Sequence, residues 1–192
     1  MAALSPHRIA EILREYYPEP SGKMLLQLST YLDLLLKWNA RTNLTAIRVP
    51  EEIVRRHFGE SLFLAAQLPA ASTLLDLGSG AGFPGLPIQL ALPDLKVTLA
   101  EAQNKKASFL REVVRTLGLP TEVWADRAEK MPVGRRFDIV ALRAVDNPEL
   151  AIRVARERVH EGGAIVHLTS EPASGGRIVQ VPGSLRSCVH FA

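Results

Sequence analysis

Cysteine is almost missing from this chain: Cys188 is the single one in 192 residues. That excludes an internal disulfide and a thiolate cluster for zinc, and it agrees with a reducing, cytoplasmic setting. No apolar run approaches the roughly 18–20 residues that a membrane span needs. The stretch from Met1 to Tyr17 is amphipathic and lacks the apolar centre of a signal peptide. Internal repeats and low-complexity tracts are absent too. Charge of one sign is in short supply: 23 basic and 20 acidic side chains leave a net +3 and a pI near 9.2. Such a balance permits a nucleic-acid partner without demanding one. The expectation is a monomer with no metal and no membrane association.

What the chain does have is 47% apolar content, enough to bury one good core with a small appendage. Its most informative stretch is Leu74-Leu75-Asp76-Leu77-Gly78-Ser79-Gly80-Ala81-Gly82-Phe83-Pro84-Gly85. Thr73 to Leu77 is a short apolar run, as expected of a strand buried on both faces of a parallel sheet. Gly78, Gly80 and Gly82 follow at alternate positions, where glycine allows positive φ and close approach to a ligand. Pro84 and Pro87 sit where a helix can begin, because its first amides have no partner within the helix. A second strand, Val97 to Ala100, ends at Glu101, an acid placed to accept bonds from ribose hydroxyls. Two ligand classes fit. Gly80-x-Gly82-x-x-Gly85 satisfies a dinucleotide fingerprint and suggests NAD. Asp76-x-Gly78-x-Gly80-x-Gly82 has the form found in S-adenosylmethionine (SAM) methyltransferases, with an acid that favours a cationic ligand and repels a pyrophosphate. The acid favours SAM.

Along the chain, three helices are expected before the first strand. They run over 5–17 with Ser5 as cap, over Ser21–Asn39 with a stripe of Leu25, Leu28, Leu32 and Leu35, and over Pro50–Leu68. They make residues 1–70 an N-terminal helical cap and leave 71–192 as an α/β, Rossmann-like sheet with helices on both faces. Between the second and third helices, Asn39 to Val49 crowds Asn39, Arg41, Asn43, Thr45 and Arg48 together. Loop capping by short polar side chains is one reading and a functional role is the other. Trp38 and Leu44 read as core anchors, and His57 as hydrogen-bonded within a helix-to-sheet contact. Asn104 reads as the cap of a helix that stops at Gly118. Lys105 and Lys106 lie in its first turn, where a cation typically costs about 0.3–1 kcal/mol. With Arg111 and Arg115 they form either a basic patch for an anionic partner or a solvated face. Glu122–Trp124 and Asp138–Leu142 read as strands three and four, the latter ending in Arg143 at the edge where open α/β sheets bind ligands. Asn147–Val159 reads as a helix followed by Gly162-Gly163, and Ala164–Leu168 as strand five. Ile178–Val181 and Ser187–Phe191 read as a closing hairpin turned at Pro182-Gly183. Thr169 to Gly176 is too short for the helix that normally joins strands five and six.

Several of these segments together resemble the RsmG (GidB) family, bacterial guanine-N7 methyltransferases of small-subunit (16S) ribosomal RNA. The matching pieces are Lys37-Trp38-Asn39-Ala40-Arg41-Thr42-Asn43-Leu44-Thr45, Arg56-His57, the glycine stretch, Arg127-Ala128-Glu129 and Phe137 to Ala144. They occur in family order over most of the chain. The resemblance implies SAM as cofactor, with Asp76, Gly78, Gly80, Gly82, Phe83, Glu101, Ala128, Glu129 and Arg143 around it. It implies 16S RNA or the small ribosomal subunit as partner. The cations expected to hold RNA are Lys105, Lys106, Arg111 and Arg115 on one helix, with Arg41, Arg48 and Arg56 in the cap.

The chemistry agrees. Methylation of a base amino group typically uses an Asn/Asp-Pro-Pro-aromatic turn after strand four, and here Leu142-Arg143-Ala144-Val145 stands instead. Carbon-5 methylation of a pyrimidine needs a cysteine nucleophile, and Cys188 lies in the expected last strand. Guanine N7 carries no proton and needs only approach, alignment and exclusion of water. Arg143 is then a positioning group that cannot occupy N7 during reaction. Two other functions share the sequence signals: an NAD-dependent oxidoreductase, and an RNA-binding ribosome-assembly module without activity.

Overall fold

The computed structural model describes residues 2–145, 147–171 and 175–192. Strands β1 (Thr73–Leu77), β2 (Lys96–Ala100), β3 (Glu122–Trp124), β4 (Phe137–Arg143), β5 (Val159–Thr169), β6 (Arg177–Gln180) and β7 (Cys188–Phe191) form one sheet. Their order is β3-β2-β1-β4-β5-β7-β6. β1 to β5 run parallel, and β7 is antiparallel to both β5 and β6. Side chains alternate across the pleat. Leu74, Val97, Leu99, Ile139 and Ala141 face one core, while Leu75, Leu77, Ala100, Val140 and Leu142 face the other. With both faces covered, these strands read as nearly continuous apolar runs.

Helices α1 (Pro6–Leu13), α2 (Gly22–Asn39), α3 (Pro50–Ile53) and α4 (Glu60–Gln67) precede β1. With α5 (Gly85–Ala91) and α6 (Asn104–Leu117) they supply Ile9, Leu28, Leu32, Leu62, Leu86 and Leu110 to the first core. α7 (Pro148–Arg158) closes the second face with Ala151, Val154 and Ala155. Ser5, Ser21 and Asn147 cap α1, α2 and α7 by accepting from Arg8, Met24 and Leu150 amides.

Some boundaries differ from the sequence reading. α1 ends at Leu13 rather than 17, since Pro18 disfavours helix in the residue before it. The segment 50–68 is helical but passes through a π-helical stretch, Val54–Gly59, between α3 and α4. Asn104 is the first residue of α6 and caps nothing; Gln103 holds the cap position without a side-chain bond. β5 begins at Val159, so Gly162 and Gly163 lie inside the strand, where its register against β4 shifts. A Cβ at Gly163 would come within 2.6 Å of the Asp138 carbonyl oxygen. Between β5 and β6 no helix occurs among the described residues; 172–174 lie outside them. Nor is any described helix long and apolar enough to cross a membrane.

Candidate active site

The turn after β1 is built from its own backbone. Gly78 and Ser79 amides donate to the Ala100 carbonyl at 3.0 Å each, tying the turn to the end of β2. Gly82 and Phe83 amides donate back to the Ser79 carbonyl, at 2.7 and 3.1 Å. Gly80 and Gly82 have φ of 57° and 92°, a region that side chains with a Cβ resist. The two differ in what surrounds them. A Cβ at Gly82 would run into Leu86 Cδ1 and lie 2.7 Å from Tyr31 Oη, whereas at Gly80 the nearest atom is 3.9 Å away. Gly82 is thus required by packing, and Gly80 borders open space.

Glu101 stands at the tip of β2, as expected, and is 7% exposed. Its Oε2 accepts from the Gly80 amide at 2.9 Å and its Oε1 from the Gln103 amide at 2.7 Å. Those two bonds fix the carboxylate while leaving further acceptor positions on each oxygen. Asp76 does not reach the open space. It is wholly buried behind the turn, where Oδ2 accepts from the Gly85 amide at 3.0 Å and Oδ1 has no partner. Burial pushes its carboxyl up to about 7. The expected repulsion of a pyrophosphate is therefore no contact of this cavity.

Across from the turn lies the wall made by the N-terminal helices. Asn39, at the end of α2, accepts from the Leu44 and Thr45 amides at 2.9 and 3.1 Å and donates to the Thr45 carbonyl at 3.0 Å. This holds the loop after α2 so that Leu44, Thr45 and Ala46 face the cavity. Thr45 Oγ1 lies 2.7 Å from His57 Nε2. The His57 ring stacks on Phe83 at 4.7 Å between centroids, and Phe83 stacks on Tyr31 at 5.5 Å. Burial, then the nearby positive Arg143 and Arg56, push the imidazole down to about 3, so it is neutral. Two walls of the cavity lie outside the expected site residues: Thr45, for which a functional role was one of two readings, and His57, read as a helix-to-sheet contact. The Arg56-His57 and Asn-Leu-Thr pieces were the signal for both. Glu60 reads from the sequence only as an i,i+4 partner for Arg56, not as the partner of Arg143.

Arg143 leaves the end of β4 and enters the π-helical stretch. It donates to Glu60 Oε2 at 2.7 Å, to the Arg56 carbonyl at 2.7 Å and to Ser61 Oγ at 3.4 Å. The π-helical stretch closes i→i+5 turns, and the Arg56 carbonyl within it accepts from the Arg143 guanidinium. Burial lowers the Arg143 pKa while Glu60 opposes it. The positive charge is thus paired within the protein. Ala144, next in line, has φ of 46°, a strained conformation for a residue with a Cβ.

Together these elements enclose a cavity of about 440 Å³ lined by Gly78–Ala81, Phe83, Glu101–Gln103 and Lys106 on one side, and by Leu44–Ala46, His57 and Arg143–Val145 on the other. Of the expected site residues, Gly78, Gly80, Phe83, Glu101 and Arg143 are brought together there. Asp76, Gly82, Ala128 and Glu129 are not among its walls. Ala128 is buried in the second core, in a short 3₁₀ turn Ala128–Lys130. Arg158 staples the segment that follows this turn, donating to the carbonyls of Glu129, Met131, Pro132 and Arg135. The expected RNA cations are scattered. Lys106 lines the cavity, while Lys105, Arg111 and Arg115 are exposed on α6. Arg48 is held by the Asn39 carbonyl and Asn43, Arg56 lies 3.8 Å from Glu60, and Arg41 borders a separate cleft with Lys37, Trp38 and Glu112. Trp38 packs edge-on against Phe109 at 5.7 Å and donates to Glu112 at 3.1 Å, the anchoring role its sequence context suggested.

The strand order, the glycine turn between β1 and α5 and the acid at the tip of β2 define a Rossmann-like methyltransferase domain. A solved glycopeptide N-methyltransferase, MtfA, shares the fold with a TM-score of 0.50 and 20% identity, covering 71% of this chain and 65% of that one. The family rRNA small subunit methyltransferase G (GidB) matches residues 24–174. The Ribosomal RNA small subunit methyltransferase G of Myxococcus xanthus is 40% identical over 157 residues, 79% of this chain and 72% of that protein. Its namesake from Chromobacterium violaceum is 41% identical over 149 residues, covering 77% and 70%. This chain belongs to the rRNA small subunit methyltransferase G family.

Proposed function

We propose that the chain transfers a methyl group from SAM to N7 of a guanine in the 16S RNA of the small ribosomal subunit. One observation supports the choice of acceptor: among the described residues lining the cavity, Glu101, His57 and Arg143 are each already engaged within the protein, and no acid–base pair is set up between them. The Glu101 carboxylate is held by two amides, His57 Nε2 is engaged by Thr45, and Arg143 is paired with Glu60. A nucleophile with a free lone pair and no proton suits such a site.

The residues present fit the cofactor. Open space over Gly80 and a fixed acceptor at Glu101 suit an adenosine with its methionine tail, and the cavity volume falls in the range of small-molecule sites. Glu101 would hold the ribose, with Gly78, Gly80 and Phe83 at the methionine end, and Gly82 shaping the turn behind them. The turn carrying Ala128 and Glu129 would meet the adenine. Bound there, SAM would supply a sulfonium methyl group for transfer to the guanine N7 lone pair, the bonding electrons going to sulfur. Phe83, Leu44 and Val145, the apolar side chains of the cavity, would limit access of water to the transferring group. The target base must leave its stack to reach the cavity, so a loop of structured RNA is the substrate. Lys105, Lys106, Arg111, Arg115 and Arg41 would contact phosphates. In this reading residues 1–70 act as a cap over the sheet domain 71–192, in a cytoplasmic monomer. Incubation with tritiated SAM and small ribosomal subunits tests the proposal: label should appear in 16S RNA, and Gly80→Val should abolish it. Absence of label in RNA with the wild-type protein would refute it.

A further inference from the structure

A buried carboxylate stands behind the cavity wall without lining the space itself. Glu60 is 4% exposed and is not among the residues that line the cavity. Its Oε2 accepts from Arg143 Nη2 at 2.7 Å, and its Oε1 lies 3.8 Å from Arg56 Nε. Arg143 does line the cavity, with 11% of its side chain exposed. The same Nη2 also donates to the Arg56 carbonyl, and Nη1 donates to Ser61 Oγ. Neutral acceptors would therefore hold the guanidinium even without the carboxylate, but they supply no negative charge. A buried ion pair adds little net stability. Removing one partner, however, leaves the other charge uncompensated where water does not screen it.

That charge matters because of what the cavity takes. SAM carries a sulfonium and an ammonium against one carboxylate, and is a cation overall. S-adenosylhomocysteine, left after transfer, has lost the sulfonium and is neutral. The charge on Arg143 is felt at the cavity wall: with Arg56 it disfavours a protonated His57, whose side belongs to that wall. An unbalanced cation there would repel a sulfonium in the same way, through space and without contact. Two arginines share the one carboxylate, and the surplus charge falls on Arg56, whose side chain is 56% exposed and so the better screened of the two. We propose, resting on SAM as the cofactor, that Glu60 is a positioning residue acting through Arg143. It anchors the guanidinium in the wall and cancels its charge, so that the site accepts a sulfonium. Glu60 thereby sets how well the cavity binds the charged cofactor relative to its neutral product.

Two substitutions separate this role from a structural one. Glu60→Gln keeps an acceptor for Arg143 Nη2 and removes the charge. Arg143→Gln removes the cation and leaves the carboxylate. Calorimetric titrations with SAM and with S-adenosylhomocysteine, and thermal unfolding, are run on wild type and both variants at low salt. The two ligands share their adenosine, ammonium and carboxylate, so the ratio of their affinities isolates the sulfonium. Glu60→Gln should lose about tenfold in SAM affinity and less than about threefold for S-adenosylhomocysteine. Arg143→Gln should move the ratio the other way, toward SAM. A purely structural Glu60 weakens both ligands by the same factor, so an unchanged ratio in Glu60→Gln overturns the inference. If Glu60→Gln does not fold, Arg143→Gln decides: a ratio shifted toward SAM supports the inference, and one unmoved or shifted toward S-adenosylhomocysteine overturns it. Wild-type protein that binds neither ligand overturns the cofactor reading itself, so the two failures are distinguishable.

Discussion

Replacing Asp76 by Asn isolates a buried charge in the core of the site. The amide oxygen can still accept from the Gly85 amide, as Oδ2 does at 3.0 Å, and the NH2 group takes the place of the unpartnered Oδ1. Burial raises the Asp76 carboxyl to about 7. The folded chain therefore keeps a proton that the unfolded chain, titrating near 4, has lost, and the stability this gives is lost as pH rises through 7. At about 1.4 kcal/mol per unit, the loss between pH 5 and pH 8 is roughly 2–3 kcal/mol. His57 works in the opposite direction. Its folded value of about 3 lies below the unfolded one, so stability falls as pH drops below 6.5, by about 2 kcal/mol at pH 5. The two nearly cancel in the wild type, which should show a flat profile over this range. Asp76→Asn removes one arm and should become about 2 kcal/mol more stable at pH 8 than at pH 5. Urea unfolding at pH 5, 6.5 and 8 measures it through the midpoint, with the m-value as a check on two-state behaviour. Parallel stability profiles for wild type and Asp76→Asn would refute a proton on the buried carboxyl.

Other variants probe the cavity itself. Glu101→Ala removes a charged acceptor worth about 1.5–3 kcal/mol, so calorimetry should show SAM affinity falling about tenfold or more; unchanged affinity would remove Glu101 from the site. Gly80→Val should fold, at a cost of about 1–2 kcal/mol, and fail to bind SAM. Gly82→Ala should instead lose about 2–4 kcal/mol of stability through contact with Leu86 and Tyr31; thermal unfolding and SAM titration of both separate a ligand cradle from a packing glycine. Neutralising Lys105 and Lys106 together should reduce the salt slope of RNA binding by about 1–2 and leave SAM affinity unchanged. An unaltered slope would return those lysines to a solvated helix face.

The sheet core was legible because its residues have one job. Thr73–Leu77 and Val97–Ala100 are apolar runs that suit a doubly covered parallel sheet, and the glycines between β1 and α5 leave few alternatives. Gly118, with φ of 64°, marks the end of α6 as clearly. Where two signals competed, the reading slipped. Gly162-Gly163 punctuates a strand rather than preceding it, because pairing with β4 continues across the irregularity. The π-helical stretch Val54–Gly59 carries no local sequence signal, and its contact with Arg143, which donates from the end of β4 to the Arg56 carbonyl, is tertiary. For the same reason Arg143 could be placed at the active edge while its partner Glu60, 83 residues away in sequence, could not. Asp76 shows the limit of motif reasoning. Its position two residues before Gly78 was correct as a pattern, yet its carboxylate turns into the core and holds Gly85.

The central claim is that this cavity aligns the N7 of a guanine with a methyl donor. N7-methylguanosine carries a positively charged imidazolium ring, which borohydride reduces and aniline then cleaves, so the modified site can be read as a strand break. Small-subunit RNA treated with wild-type protein and SAM should break at a guanine after this chemistry, and RNA treated with Gly80→Val should not. Methyl transfer into the RNA with no cleavage at any guanine, the label residing on an amino group or a pyrimidine carbon, would contradict the account.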